Sequence, residues 1–180
     1  MQSLRGQLLI ASPRLADPNF AKSVILIVQH DEQGALGVVI NRPLELTVKQ
    51  VCQEALETTC TLEAAVYHGG PCPGPLMVVH TDALVADLQV REQLYFTTER
   101  AKIERLLEEQ GPTSKFFVGY AGWGAGQLEG EMESGSWLTV AAAPERVFIS
   151  NDQQWSRLMT ELTLGRWIDP ERIPDDPSVN

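Results

Sequence analysis

Ser23-Val24-Ile25-Leu26-Ile27-Val28, then Asp31-Glu32-Gln33-Gly34, then Leu36-Gly37-Val38-Val39-Ile40 is the stretch on which the fold turns. The first run is short, β-branched and continuously apolar, which is the composition of a buried strand. The four residues at 31–34 include Asp and Gly, which tight turns favour. A second apolar run resumes almost at once, so the chain is predicted to double back as an antiparallel hairpin.

Working outward, Thr47-Val48-Lys49-Gln50 has the form of a capping box, a hydroxyl for exposed amides and a Gln reaching back. Val48, Val51, Cys52, Ala55 and Leu56 follow at helical spacing. Leu76 to His80 and Leu94 to Thr97 are further strand candidates. Glu99 to Gln110 carries Ile103, Leu106 and Leu107 on one helical side and stops at Gly111-Pro112. Phe116 to Tyr120 and Trp137 to Ala142 read as strands. A last helix opens at Ser150-Asn151-Asp152-Gln153, buries Trp155, Leu158, Met159 and Leu162, and is expected to stop at Gly165. Strands and helices interleave irregularly around a hairpin, which predicts an α+β fold and not a doubly wound parallel sheet. One domain over residues 1–168 is expected, followed by a mobile, acidic, proline-rich tail at 169–180.

Charge removes one class of partner. Lys+Arg 14 against Asp+Glu 24 gives a net charge of −10, and the basic residues form no block. Affinity for a nucleic-acid backbone comes largely from Lys and Arg displacing counterions, so direct nucleic-acid binding is disfavoured, as are anionic membrane surfaces. No apolar run approaches the ~18 residues of a membrane span, and Met1 to Arg5 shows no secretory pattern. A cytoplasmic location is the expectation. Cys52, Cys60 and Cys72 form no C-x-x-C pair, which suits reduced thiols. Cys52 falls on the apolar helical stripe; Cys72, in a Gly/Pro-rich loop, is the one thiol to test for reactivity.

Candidate site residues lie in three motifs. Gly119-Tyr120-Ala121-Gly122-Trp123-Gly124-Ala125-Gly126-Gln127-Leu128-Glu129-Gly130 follows a predicted strand. Its Gly122, Trp123, Gly124 and Gly126 either cradle an anion with convergent amides or make tight turns around Trp123. The dinucleotide spacing G-x-G-x-x-G is absent, and no Walker lysine is present. His68-Gly69-Gly70-Pro71-Cys72-Pro73-Gly74-Pro75 is a second rigid loop, in which Gly69 and Gly70 wall a pocket or make a structural crossing. Asn41-Arg42-Pro43 ends the hairpin, where Arg42 clamps an anionic ligand or pairs with a local acid. His30 and His80 sit at strand ends beside acids, and with Glu129 they are the candidate acid–base groups. No His or Cys spacing predicts a metal, and no cofactor motif is found.

These residues together resemble the YqgE/AlgH family. The resemblance rests on Gly6 to Pro13, on His30-Asp31 through Gly34-Ala35 and Gly37 to Pro43, on Gly69-Gly70-Pro71, and on Gly119 to Trp123 with Gly126 to Glu129. Trp137-Leu138 and the Trp155 helix fit as well, so nearly all of Leu4 to Gly165 is covered. Cys72 departs from the small aliphatic residue expected after Gly-Gly-Pro. The resemblance implies a bent mixed sheet, part of it closed into a small barrel and flanked by helices. One branch of the family is described as a transcriptional regulator connected with alginate production. Three functions compete. The first is a non-enzymatic regulatory or binding module for a small anionic ligand or a protein partner, its three motifs converging on one pocket. The second is an enzyme using His30 or His80 with Glu129, and the third a DNA-binding regulator. The sequence does not set the oligomeric state.

Overall fold

The structure, a computed structural model, describes residues 2–56, 60–108, 113–149 and 153–167. The expected helix stop at 111–112, the cap at 150–152 and the tail at 169–180 lie outside the described residues. The hairpin forms as predicted: β2 (Val24–Asp31) pairs antiparallel with β3 (Gly34–Val39), Ile25 opposite Val39 and Asp31 opposite Gly34. β1 (Gln7–Ala11) lies on the other side of β2, and β10 (Trp137–Ala141) beyond β1.

These strands are continuously apolar because both faces are covered. Leu8, Ile10, Val24 and Leu26 enter one cluster, while Leu9, Ala11, Ile25 and Ile27 enter another. The period of two along each strand therefore feeds two cores.

The rest of the sheet hangs on β9 (Ser114–Gly124). Along one edge β9 pairs antiparallel with β6 (Cys72–His80), which leads through β8 (Leu94–Thr97) to β7 (Leu88–Arg91). Its other edge is shared. β5 (Ala65–His68), itself paired with β4 (Pro43–Thr47), runs parallel to it at Phe116–Val118, and β3 runs antiparallel at Ala121–Gly124. The order is β10-β1-β2-β3-β9-β6-β8-β7, and the sheet curls until its ends approach. Arg5 donates to the Gln89 carbonyl, and Arg91 donates to the Gly6 carbonyl at 3.4 Å. Val90, Leu94 and Phe96 thus share a core with Leu8 and Ile10 in a barrel-like interior.

Helices close what the curl leaves open. α4 (Pro144–Val147) and α5 (Gln154–Trp167) bring Val147, Trp155 and Leu158 to the interior, and the Trp155 indole donates to the Ala11 carbonyl at 2.8 Å. Helix α5 runs through Gly165 and does not stop there, since a helical glycine costs only about 1 kcal/mol. α3 (Gln127–Glu133) covers the outer face of β2 and β3. α1 (Val48–Val51), whose Thr47–Gln50 capping box is present, continues as a π-type turn at Cys52–Leu56. With α2 (Arg100–Glu108) it covers the outer face of β5, β6 and β9. Asp87, in the bend before β7, caps α2 from outside the helix, accepting from the Thr98 and Glu99 amides at 2.7 and 3.1 Å and from Lys102 at 2.6 Å.

Two loop readings are corrected. The glycine run continues β9 as far as Gly124, and Cys72 already opens β6. Prolines that cannot donate to a ladder leave a register irregularity between Cys72 and Leu76. The glycines are needed where β9 exchanges β5 for β3. There the Gly69 amide donates to Val118 and the Gly69 carbonyl accepts from Val39, both at 2.8 Å. A Cβ on Gly69 would stand 2.1 Å from the Gly119 carbonyl oxygen, and Gly119 itself has φ +74°.

Gly69→Ala is therefore expected to cost at least about 2 kcal/mol, because backbone must move. Gly130→Ala in α3 meets nothing within 4 Å and should gain about 0.5–1 kcal/mol. Denaturant unfolding of the two variants checks this, and equal losses would refute the junction's special role.

Candidate functional site

The bond between His30 and Glu129 joins the end of β2 to α3. His30 Nε2 lies 2.9 Å from Glu129 Oε1, and His30 Nδ1 lies 2.9 Å from the Leu4 amide nitrogen. That amide can only donate, so Nδ1 accepts and Nε2 carries the proton given to Glu129. The Glu129 carboxyl is held below its usual range, first by its own backbone amide and then by the His30 proton. The pair meets the distance requirement for acid–base partners. However, its one basic nitrogen is filled by main chain and the His30 side chain is only 1% exposed. What it does in this geometry is lock residue 4, β2 and α3 together.

His80 lies elsewhere, against Tyr95 and fully buried, with no protein partner for either ring nitrogen. Burial holds it neutral, and the nearby Asp82 and Asp87 pull weakly the other way. Burial also opposes the Asp87 carboxylate, yet Lys102 and the Thr98 amide outweigh it and keep that group ionised.

The three glycine-and-arginine motifs do meet. The His68 amide donates to the Arg42 carbonyl at 2.9 Å, and Gly69 bonds both β3 and β9 as described. Their side chains are largely engaged by the fold. Arg42 donates to the Asn19 and Ala21 carbonyls at 2.6 and 3.2 Å, fastening the 17–22 loop. Asn41 accepts from the Val24 amide at 2.8 Å and donates to the Lys22 carbonyl at 2.9 Å, extending the β2 pairing. A Cβ on Gly70 would overlap the Tyr120 backbone, and one on Gly122 would touch the Tyr120 ring. Trp123 stacks on Phe20 and meets Trp137 edge-on. Both indoles donate to Glu131 Oε2, at 3.0 and 2.8 Å, a junction that spacing alone does not reveal. Only Gly124 and Gly126 of this set face open space.

An opening of about 390 Å³ lies beside the meeting point, lined by Asn41, Pro43, Tyr67, Ser114, Lys115 and Phe148 among others. Lys115 is the residue that the sequence reading missed. It points from β9 toward the interior face and is 4% exposed. Its ammonium donates to the carbonyls of Ile40, Val147 and Ile149 at 2.8, 3.1 and 3.1 Å, and sits 4.2 Å from the Tyr67 ring centre. Burial alone draws its pKa down to about 8. The available signal was a lysine opening the apolar run Phe116-Phe117-Val118, which reads equally as a solvated strand end.

Among the described residues no three His, Cys, Asp or Glu side chains are grouped to hold a metal. The three cysteines are unpaired as thiols. Cys52 is buried, and burial together with the neighbouring Cys60 pushes its thiol up to about 12. Cys72 is half-buried at the start of β6.

Because burial lowers the His80 pKa in the folded chain relative to the unfolded one, the unfolded chain binds more protons as pH falls through about 6.5. The stability involved is present above that pH and lost as pH falls through it. His80→Leu should flatten the denaturation midpoint between about pH 7 and pH 5, where the native chain declines. An equal decline in both would assign the acid lability to other groups.

Comparison with known proteins agrees with this architecture. A family model described as AlgH-like matches residues 8–166. A UPF0301 protein of Stenotrophomonas maltophilia is 46% identical over 161 residues, covering 85% of this chain and 86% of its own. One from Chlorobaculum tepidum is 37% identical over 182 residues, covering 97% and 95%. The solution structure of the AlgH protein from Pseudomonas aeruginosa superposes with a TM-score of 0.75 at 32% identity, over 99% of this chain and 97% of that one. A crystal structure from Corynebacterium diphtheriae gives 0.72 at 28%, over 89% and 87%. With its curled sheet, its glycine junction and a family match along almost its whole length, the chain belongs to the AlgH-like, UPF0301 family.

Proposed function

We propose that this chain is a non-enzymatic binding module that acts through a small anionic ligand or a protein partner. The observation that carries this reading is an opening of about 390 Å³ lined by Asn41 and Pro43 of the arginine motif together with Tyr67, Lys115 and Phe148; the residues of the two glycine motifs are not among its lining. Ligand sites are commonly concave, mostly apolar and set with a few polar groups, and this one combines Tyr67 and Phe148 with Asn41, Ser114 and Lys115. The His–Glu pair supports the same reading from the other side, since a base whose lone pair holds a backbone amide is not free to take a substrate proton. A net charge of −10 disfavours direct DNA contact, so any influence on transcription would pass through the ligand or partner. Three free thiols suit a reducing, cytoplasmic setting.

The test is a thermal-shift panel of nucleotides, sugar phosphates and small carboxylates. It is run on the native chain and on Ala65→Phe, which fills the opening. A ligand at about 100 times its Kd adds about 2.7 kcal/mol, a shift of several degrees. A response lost in Ala65→Phe is the expected result. A response kept in that variant moves the site elsewhere, and silence across the panel removes the small-ligand form of the proposal.

The enzyme alternative draws on the 2.9 Å His30–Glu129 contact. If the pair is a lock, Glu129→Gln keeps a side-chain acceptor and should cost less than about 1 kcal/mol. His30→Leu strands a donor and an acceptor and should cost about 1–3 kcal/mol. Equilibrium unfolding reads the difference, and the reverse ranking would argue against the lock.

A further inference from the structure

We propose that the opening beside Lys115 is a site for a small monocarboxylate with an apolar body, its charge answering the Lys115 ammonium. The proposal rests on the binding-module reading and names its ligand class.

A buried charge is ordinarily paired with an opposite one. Lys115 is 96% buried by its 4% exposure, yet its partners are three carbonyl dipoles and the face of Tyr67. Among the described residues no Asp or Glu carboxylate pairs with it. The other three lysines differ. Lys49 pairs with Glu63 and Lys102 with Asp87, both raised above the ordinary lysine range, and Lys22 is solvent-exposed. Among the described residues, then, this positive charge in the wall of the opening has no carboxylate partner. Burial lowers the Lys115 pKa to about 8.

Donor accounting then chooses between anions. The three ammonium protons are all committed to Ile40, Val147 and Ile149. The site thus offers an anion chiefly the Lys115 charge, with few N–H donors. A phosphate dianion, which needs several N–H donors and more than one positive charge, is poorly served here. A carboxylate needs less. The remaining walls, Pro43, Ala64, Ala65, Tyr67, Phe148 and Ile149, are apolar or aromatic, which favours a hydrocarbon body behind the carboxylate.

The probes are benzoate and hexanoate, their neutral amides, and inorganic phosphate. The full chain carries four lysines, Lys22, Lys49, Lys102 and Lys115, so 13Cε-lysine NMR resolves each one. The expected result is that a carboxylate raises the Lys115 titration midpoint from about 8 by one pH unit or more and leaves the other three unmoved. Its Kd should then rise, approaching tenfold per pH unit above the free midpoint. Lys115→Met should weaken binding at least about tenfold; should that variant not fold, the native titration decides. Amides that bind as well as the carboxylates would overturn the proposal, as would carboxylates that leave Lys115 unmoved. Phosphate binding with carboxylates inert would overturn the ligand class while leaving the binding-module reading standing. Silence from both carboxylates and from phosphate overturns this proposal alone, since that reading is judged on its wider panel and Ala65→Phe.

Discussion

The architecture depends on one close approach of backbones. Strand β9 must serve β6 along one edge while dividing the other between β5 and β3. At the division Gly69 bonds Val39 on one side and Val118 on the other, with no room for a Cβ against Gly119. If that contact were wider, β3 and β5 could not share an edge. The hairpin of β2 and β3 would then separate from the β6-β8-β7 half of the sheet. The curl that brings Arg91 to Gly6 and builds the interior core follows from keeping both halves on one strand.

Around this frame several buried polar groups are satisfied in different ways, whereas the His80 ring nitrogens have no protein partner. His30 uses both ring nitrogens, and Glu131 accepts from two indoles. Arg42 and Asn41 replace missing strand partners with side-chain bonds to backbone. These groups are complete as they stand. Lys115 has every proton bonded to a carbonyl, yet among the described residues no carboxylate pairs with it, and dipoles orient a charge without neutralising it. It also borders open volume.

Legibility in the sequence followed the range of the interaction. The β2–β3 hairpin, the Thr47 capping box and the amphipathic α2 are local, and each was readable from residues within a dozen positions. β1, β4, β5 and β7 were not, since runs of four or five residues gain their strand identity from partners far away in sequence. The glycine run from Gly119 looked like a loop because glycine is rare in strands. Its strand geometry comes from β3 and β6 on either side. The Asp87 cap on α2 spans eleven residues or more and has no local signature.

What the residues by themselves determined is the class of fold and the burial of the central hairpin strands. Each follows from composition and short-range periodicity. Which side chains border the opening was decided only by the tertiary structure. Arg42, conspicuous in sequence, is engaged by a loop, whereas Lys115, inconspicuous in sequence, is carried inward by the curl of the sheet. The reason is that the environment of a charge depends on neighbours supplied by β3, β5 and the chain after α4, and no local pattern encodes their arrival.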